Sequence, residues 1–426
     1  MLSYAYRTLT GLGAPFIGLY LLKRRAEGRE DKTRFPERLG HASRPRPPGP
    51  LVWCHAASVG EAASVLALID KLRFLYPHIH ILVTTGTVTS ARMLEGRLPI
   101  GAFHQYMPVD RARYVASFLD HWKPDFVILI ESELWPNMLN ALRARMIPAA
   151  LVNGRMSDRS FRRWYRFKGW AKELLGAFVI CLTQTEDDRG RFVALGARPA
   201  RCYDNIKYAA NPLPVDETEL ARLRSAVGER PVWLLASSHR GEEEIACAAH
   251  KKLREMRPGL LTIIVPRHAV RGNEVAEIIT ESGLTCARRS KRENIEPGTD
   301  IYLADTMGEL GLFYRLCRVA LIGGSFTGGG GHNPVEAAQL DCAIFFGPHM
   351  HNFSAMAREF VRGRAAVQLR HASEIPETVH RLFGVPEERR NYAATALRLA
   401  AEKRHVLDQV LEALTPWLDA AAKKPA

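Results

Sequence analysis

The chain lacks the marks of several common chemistries. No C-x-x-C pair occurs among its seven cysteines, and none stands with histidines at zinc spacing. A structural zinc site and a dithiol redox centre are therefore not indicated. The odd count and scattered positions favour a reducing compartment over a disulfide framework. No strand-like run is followed by G-x-G-x-x-G, which argues against a dinucleotide oxidoreductase. D-x-D is also missing, and Glu131-Ser132-Glu133 is a weak metal signal, so neither a metal nor a cofactor is expected. Long disordered tracts are absent. Acidic residues are the scarce charge: 45 Asp and Glu stand against 59 Lys and Arg, a formal net charge of +14. Such an excess points to an anionic partner, whether nucleic acid, a phospholipid surface or a phosphorylated substrate.

What is present is a chain of 426 residues, 47% hydrophobic and 24% charged. That suits two domains with extensions and a proper core. Thr8 to Leu22 carries no charge, and Lys23-Arg24-Arg25 follows directly. As a helix this run would measure roughly 22 Å, short of the roughly 30 Å hydrocarbon core unless Leu2 to Arg7 join it. The basic cluster stands where a signal peptide would need small residues. Residues 1–25 are expected to form an uncleaved anchor helix, spanning the membrane or lying in its interface. The positive-inside rule puts the body on the cytoplasmic side. The competing reading is a peripheral amphipathic helix on the globular body.

After the stiff PRPPGP linker (Pro45–Pro50), short apolar runs alternate with turns and helical segments. The expected strands are Leu51–Cys54, Ile79–Val83, Phe126–Ile130, Ala149–Val152 and Phe178–Leu182. A polar stretch near Asn211–Glu217 reads as an interdomain linker. The pattern then restarts with Val232–Ala236, Leu261–Val265, Ile301–Ala304, Val319–Ile322 and Ala343–Phe346. Alternation of this kind predicts an α/β protein of parallel sheets with right-handed crossovers. Two Rossmann-like domains are expected to face a central cleft, residues 26–212 and 213–426, since open α/β sheets bind ligands at their strand C-termini. The last segment, about Pro386–Leu418, is amphipathic and suited to packing across both halves.

Several constellations carry chemistry. Leu321–Glu336 (LIGGSFTGGGGHNPVE) runs from strand through glycines to Asn-Pro at a helix start, where open N–H groups would favour an anion. Glu336, on the first turn, is placed to accept from sugar hydroxyls. Arg267-His268 ends a strand with a cation suited to bidentate phosphate binding, and Ser237-Ser238-His239-Arg240 sits at the equivalent place one unit earlier. Glu61 opens the helix after the first strand and is a candidate general base; it is equally a residue type that complements a helix start. His55 reads as filling a strand end. Alternation would point Glu131 and Glu133 to one side, and two buried carboxylates require a nearby cation. Arg155–Trp170 (RMSDRSFRRWYRFKGW) interleaves cations with aromatics. It suits single-stranded nucleic acid or a phosphorylated lipid at a bilayer surface, and the anchor favours the lipid.

Taken in order, HAASVGE (His55–Glu61), TTGT (Thr84–Thr87), ESELWPN (Glu131–Asn137), NGRMSDRS (Asn153–Ser160), the Lys207 region, PRH (Pro266–His268), DTMGEL (Asp305–Leu310) and GGHNPVE (Gly330–Glu336) span nearly the whole chain. With them the sequence resembles the bacterial 3-deoxy-D-manno-octulosonic acid (Kdo) transferases of lipopolysaccharide assembly. The resemblance implies a GT-B fold, no required metal, and inverting transfer of Kdo from CMP-Kdo to the lipid A precursor at the cytoplasmic face of the inner membrane. By that resemblance the first domain takes the acceptor and the second the donor. Glu61 would be the general base, and Glu131 and Lys207 would stabilise the transition state. Arg267, His268, Met307, Gly308, Glu309, Asn333, Pro334, Val335 and Glu336 would hold CMP. The implied partners are the donor, the lipid acceptor and membrane phospholipid, with no nucleic acid. Ala56, and Tyr208-Ala209 after Lys207, depart from the usual pattern of the family.

Overall fold

The computed structural model describes residues 1–424 and divides into two units. One holds Met1–Ala210 together with the segment beginning at Arg404; the other is Asn211–Lys403. Each is built on one parallel seven-stranded sheet.

In the first unit the strands are β1 (Leu51–His55), β2 (His80–Thr85), β3 (Ala102–Tyr106), β4 (Phe126–Ile130), β5 (Ala149–Gly154), β6 (Phe178–Thr183) and β7 (Ala200–Cys202). Their order is β3-β2-β1-β4-β5-β6-β7. Helices cover both faces, so the central strands are apolar at nearly every position. Alternate residues serve opposite cores. Val52, Cys54, Ile128 and Ile130 pack on one side with the helix Val59–Leu75. Leu51, Trp53, Val127 and Leu129 pack on the other. The C-terminal helix Val406–Ala422 joins the first of these cores through Val410, Leu414 and Leu418. The amphipathic tail is thus two helices rather than one, and the preceding Pro386–Glu402 helix belongs to the second unit.

The second unit repeats the plan with β8 (Val232–Ser238), β9 (Leu261–Pro266), β10 (Cys286–Arg288), β11 (Ile301–Leu303), β12 (Val319–Ile322), β13 (Ala343–Phe346) and β14 (Ala366–Gln368), ordered β10-β11-β9-β8-β12-β13-β14. Strand order reverses between β1 and β4 in one sheet and between β8 and β12 in the other. Those reversals open a crevice at the strand C-termini, where open α/β sheets take their ligands.

The N-terminus corrects the expectation of one anchor helix. Residues 1–25 do not form one helix. Gly13 separates a helix Leu2–Leu12 from a second, Ala14–Ala26. At 1.5 Å per residue they measure roughly 16 and 20 Å, against roughly 30 Å of hydrocarbon. Among the described residues no helix is long and apolar enough to cross a membrane. The first helix instead docks on the globular body: Trp170 Nε1 donates to Ser3 Oγ (2.9 Å), Asn137 Nδ2 to Thr10 Oγ1 (3.1 Å), and Tyr6 lies 6.0 Å from the Trp170 ring. A row of apolar side chains still faces outward, with Phe16 78% and Leu19 68% exposed.

Candidate active site

The first group of site residues gathers at the β1/β4 reversal. Ser58 caps the helix Val59–Leu75, and Glu61 on its first turn folds back over the cap. Ala57 N–H donates to Glu61 Oε2 (2.8 Å) and Ser58 Oγ to Oε1 (2.7 Å). Each carboxylate oxygen keeps a second lone pair, so the capping role leaves room for a base. The side chain is only 9% exposed. Burial first, then the charges of Glu131 and Glu133, raise its pKa above the ordinary carboxyl value, against the lowering effect of the two hydrogen bonds. A carboxylate so perturbed is a better base near neutral pH than an exposed one.

Glu131 follows β4 with φ at +64°, so the strand ends there and its alternation stops applying. What brings Glu131 and Glu133 to bear on Glu61 is the turn, not the pleat. Each acid has a cation or donor, as two buried carboxylates require. Lys207 Nζ donates to Glu131 Oε1 at 2.7 Å. His55 Nε2 stands 3.2 Å from Glu133 Oε2, and Trp135 Nε1 donates to the same oxygen. Burial alone would push Glu133 up; its bond and charge contact with His55 and the bond from Trp135 outweigh that and hold it below the ordinary value. His55 is therefore more than strand-end filling. Trp53 Nε1 donates to Thr84 Oγ1, which lies 2.8 Å from His55 Nδ1. Nδ1 also lies 3.1 Å from the Thr84 carbonyl oxygen, and the Nε2 that faces the acceptor-only Glu133 carboxylate is a donor.

Lys207 is placed by two asparagines. Asn153, at the end of β5 with φ at +59°, accepts from Ile206 N–H through Oδ1 (3.1 Å). Asn205 Oδ1 accepts from Lys207 N–H (3.0 Å). These bonds fix the short turn Ile206–Ala209. Asn153 lay within a motif noted in the sequence, but its role rests on a contact across 53 positions.

The second group lies around the β8/β12 reversal. Here the structure revises the expected anion site. The helix after the glycines is only Val335–Ala338. The N–H groups of Gly324 (2.6 Å), Ser325 (2.9 Å) and Phe326 (3.0 Å) already donate to the buried Glu242 carboxylate, which also takes His239 N–H (3.0 Å). Glu242 thus fills the first part of the loop as a built-in anion. Along the chain Glu242 is only an acid beside a glycine, with nothing local to show that its oxygens serve a loop 82 residues away. Gly323 is required there, because a Cβ would collide with the Ser237 carbonyl oxygen.

Further along, Asn333 Oδ1 accepts from Val335 N–H (3.1 Å), and its amide reaches Glu336 Oε1 (3.4 Å). The N–H groups of His332 and Asn333 are unengaged among the described residues. The Arg267 guanidinium, after β9, likewise has no carboxylate or carbonyl partner among the described residues. Its loop is braced instead by Arg271, which donates to the buried Glu243 (2.7 Å) and to Glu274 (3.0 Å). A half-buried, unpaired guanidinium among open N–H groups and imidazoles is a ready phosphate site. Burial and then Arg267 push the exposed His268 ring below its ordinary value.

Met307 and Gly308 are exposed at the end of β11, with Gly308 at φ +86°. The Glu309 carboxylate is already spoken for. Arg289 donates to it at 2.6 Å and also reaches Glu219 (2.7 Å), and this bond first of all holds Glu309 below the ordinary carboxyl value. Any nucleotide contact here falls to the loop backbone. Among the described residues no group of three His, Cys, Asp or Glu is placed to hold a metal ion.

The Arg155–Trp170 segment divides its labour. Phe161, Trp164 and Trp170 pack on the core, while Arg159, Arg162, Arg163, Arg166 and Lys168 are exposed with Tyr165 and Phe167.

Comparison with known proteins agrees with the sequence motifs. The family described as 3-deoxy-D-manno-octulosonic-acid transferase (kdotransferase) matches residues 33–210. A 3-deoxy-D-manno-octulosonic acid transferase of Rickettsia bellii is 34% identical, covering 97% of this chain and 99% of its own length. One from Haemophilus influenzae is 32% identical over 95% of each. Among solved structures, UDP-GlcNAc 2-epimerase from Neisseria meningitidis shares the two-sheet, GT-B-like fold with a TM-score of 0.59, at 12% identity, over 86% of this chain and 100% of its own.

Proposed function

The chain belongs to the 3-deoxy-D-manno-octulosonic acid transferase family, and from that premise we propose how its residues perform the transfer. The enzyme moves Kdo from CMP-Kdo to the lipid A precursor. In this reading Glu61 removes the proton from the acceptor hydroxyl, whose oxygen attacks the anomeric carbon opposite the leaving phosphate and inverts it. The observation that carries the reading is the buried carboxylate cluster. Glu61 is raised by burial and then by its acidic neighbours, while Lys207 and His55 each hold one of them. Glu131 and Lys207 act as a fixed ion pair beside the reacting carbon, where the transition state gains positive character and the base must stay ionised.

On the donor side, Arg267 and His268 take the phosphate. The Met307–Glu309 backbone and the Asn333–Glu336 turn hold ribose and base. Charge on departing CMP falls on the guanidinium and open N–H groups, with no divalent cation in the scheme. Glu61→Ala should abolish Kdo transfer from CMP-Kdo to lipid IVA while CMP still binds. Retained turnover would remove Glu61 from the role.

The same reading places the protein at the cytoplasmic face of the inner membrane as an interfacial, not a spanning, protein. The outward Leu9, Leu12, Phe16 and Leu19 with the following Lys23-Arg24-Arg25 form an apolar and cationic pair of features. They suit the boundary between acyl chains and anionic headgroups, and the exposed arginines of Asp158–Tyr165 suit the acceptor's phosphates.

A further inference from the structure

Two histidines outside the assigned set meet at the β8/β12 reversal. His239 follows β8, and His332 ends the glycine run after β12. Their Nε2 atoms are 2.9 Å apart, and their rings lie end to end, 5.1 Å between centroids and 25° from parallel. Facing ring nitrogens at that distance share one proton, one donating and the other accepting. Neither Nδ1 has a partner among the described residues. Gly324 and Gly329 pack against the rings, and a Cβ at Gly324 would press on His239.

The charges facing the pair are one-sided. Arg267 and His268 act on His332, and Arg271 acts on His268. The nearby Glu242 carboxylate is committed to four backbone N–H groups, and Arg271 is matched by Glu243 and Glu274. Burial, then Arg267, then the neighbouring His239 and His268 rings push the His332 ring down to about 3. In the free protein the His332 ring is therefore neutral. A bound phosphodiester would supply the missing negative charge and reverse that bias.

We infer that His239 and His332 form a proton-loading site that takes up one proton when the donor's phosphate binds, and gives it to the phosphate oxygen as CMP leaves. The inference rests on the reading of Arg267 as the phosphate clamp. The bond from the anomeric carbon to the phosphate oxygen breaks, and its electron pair stays on that oxygen, which takes the proton from the histidine pair. The acceptor hydroxyl's proton goes to Glu61. Both groups return to their starting states by exchange with water, and no further reactant is needed.

Calorimetric titration of CMP into the full chain, in buffers of different ionisation enthalpy, reads protons taken up per nucleotide bound. Over about pH 5.5–7.5 the unaltered protein should take up roughly half a proton or more beyond His239→Asn and His332→Asn. Both variants should still bind CMP within about tenfold and lose most of kcat for Kdo transfer. An equal proton inventory in all three proteins overturns the inference and leaves the phosphate clamp standing. Failure of the unaltered protein to bind CMP overturns the clamp and the inference together. If the variants do not fold, the ring C2–H resonances of the unaltered protein decide. Their titration midpoints must rise when CMP is added, and unmoved midpoints overturn the inference.

Discussion

Glu242→Gln tests whether the glycine loop is held by a carboxylate. One oxygen of Glu242 takes His239 and Gly324 N–H, and the other takes Ser325 and Phe326 N–H. The side chain is 1% exposed. Glutamine has the same shape but one oxygen, so in either amide orientation two N–H groups face an NH2 group. Each buried donor left without an acceptor costs about 1–3 kcal/mol, which sets the loss at about 2–6 kcal/mol. Against a domain stability of roughly 5–15 kcal/mol that is a large fraction. Glu242→Ala frees all four donors but opens a polar space that water can enter, so it should cost no more than the glutamine variant. Denaturant unfolding followed by Trp233, buried on β8, reads the second unit. A midpoint for Glu242→Gln within about 0.5 kcal/mol of the parent refutes the assignment of all four bonds, since an ordinary surface change stays within that range. The same variant should weaken CMP binding, because the loop loses the anchor of its first part.

The acid limb of kcat/KM against pH should fall above the usual carboxyl range, because a raised Glu61 must lose its proton to serve as base and is protonated as pH drops through its raised value. Glu133→Gln removes one of the charges that raises Glu61, so the limb should move to lower pH; an unmoved limb assigns it to another group. Asn153→Ala puts a Cβ residue without a local hydrogen bond at φ +59° and strips the acceptor from Ile206 N–H. A loss of about 2–3 kcal/mol is expected in thermal unfolding, and a change below about 0.5 kcal/mol rules it out as the pin of the Lys207 turn. Phe16→Ser with Leu19→Ser should release the protein from anionic phospholipid vesicles in a sedimentation assay, at about 1.5–3 kcal/mol per buried side chain, without altering CMP binding. Undiminished sedimentation places the membrane contact elsewhere.

Ten strands were legible in the sequence, and each is present within one or two residues. The four that were not are β3, β7, β10 and β14, the edges of the two sheets. The physical reason is common to them. A central parallel strand is covered on both faces and must be apolar throughout, whereas an edge strand is short or mixed in polarity, as in Ala-Phe-His-Gln-Tyr of β3 and Cys-Ala-Arg of β10. The N-terminal run misled in the opposite way. Its lack of charge suggested one long helix, but Gly13 divides it and Pro15 starts the next, a local backbone effect that hydrophobicity does not register.

The sequence by itself determined the α/β class, the family and the identity of the acids and cations at the strand ends, because these follow from local periodicity and from motifs read in order. Only the tertiary structure decided what those groups do to one another. Glu61 is raised because folding buries it and then brings the Glu131–Glu133 turn, about 70 positions away, against it. Glu242 takes the N–H groups at the start of the glycine loop, and Arg289 takes the carboxylate of Glu309. His239 and His332 share a proton across 93 positions. Electrostatic coupling depends on separation in space, and folding sets that separation through strand order, which no local window of residues contains.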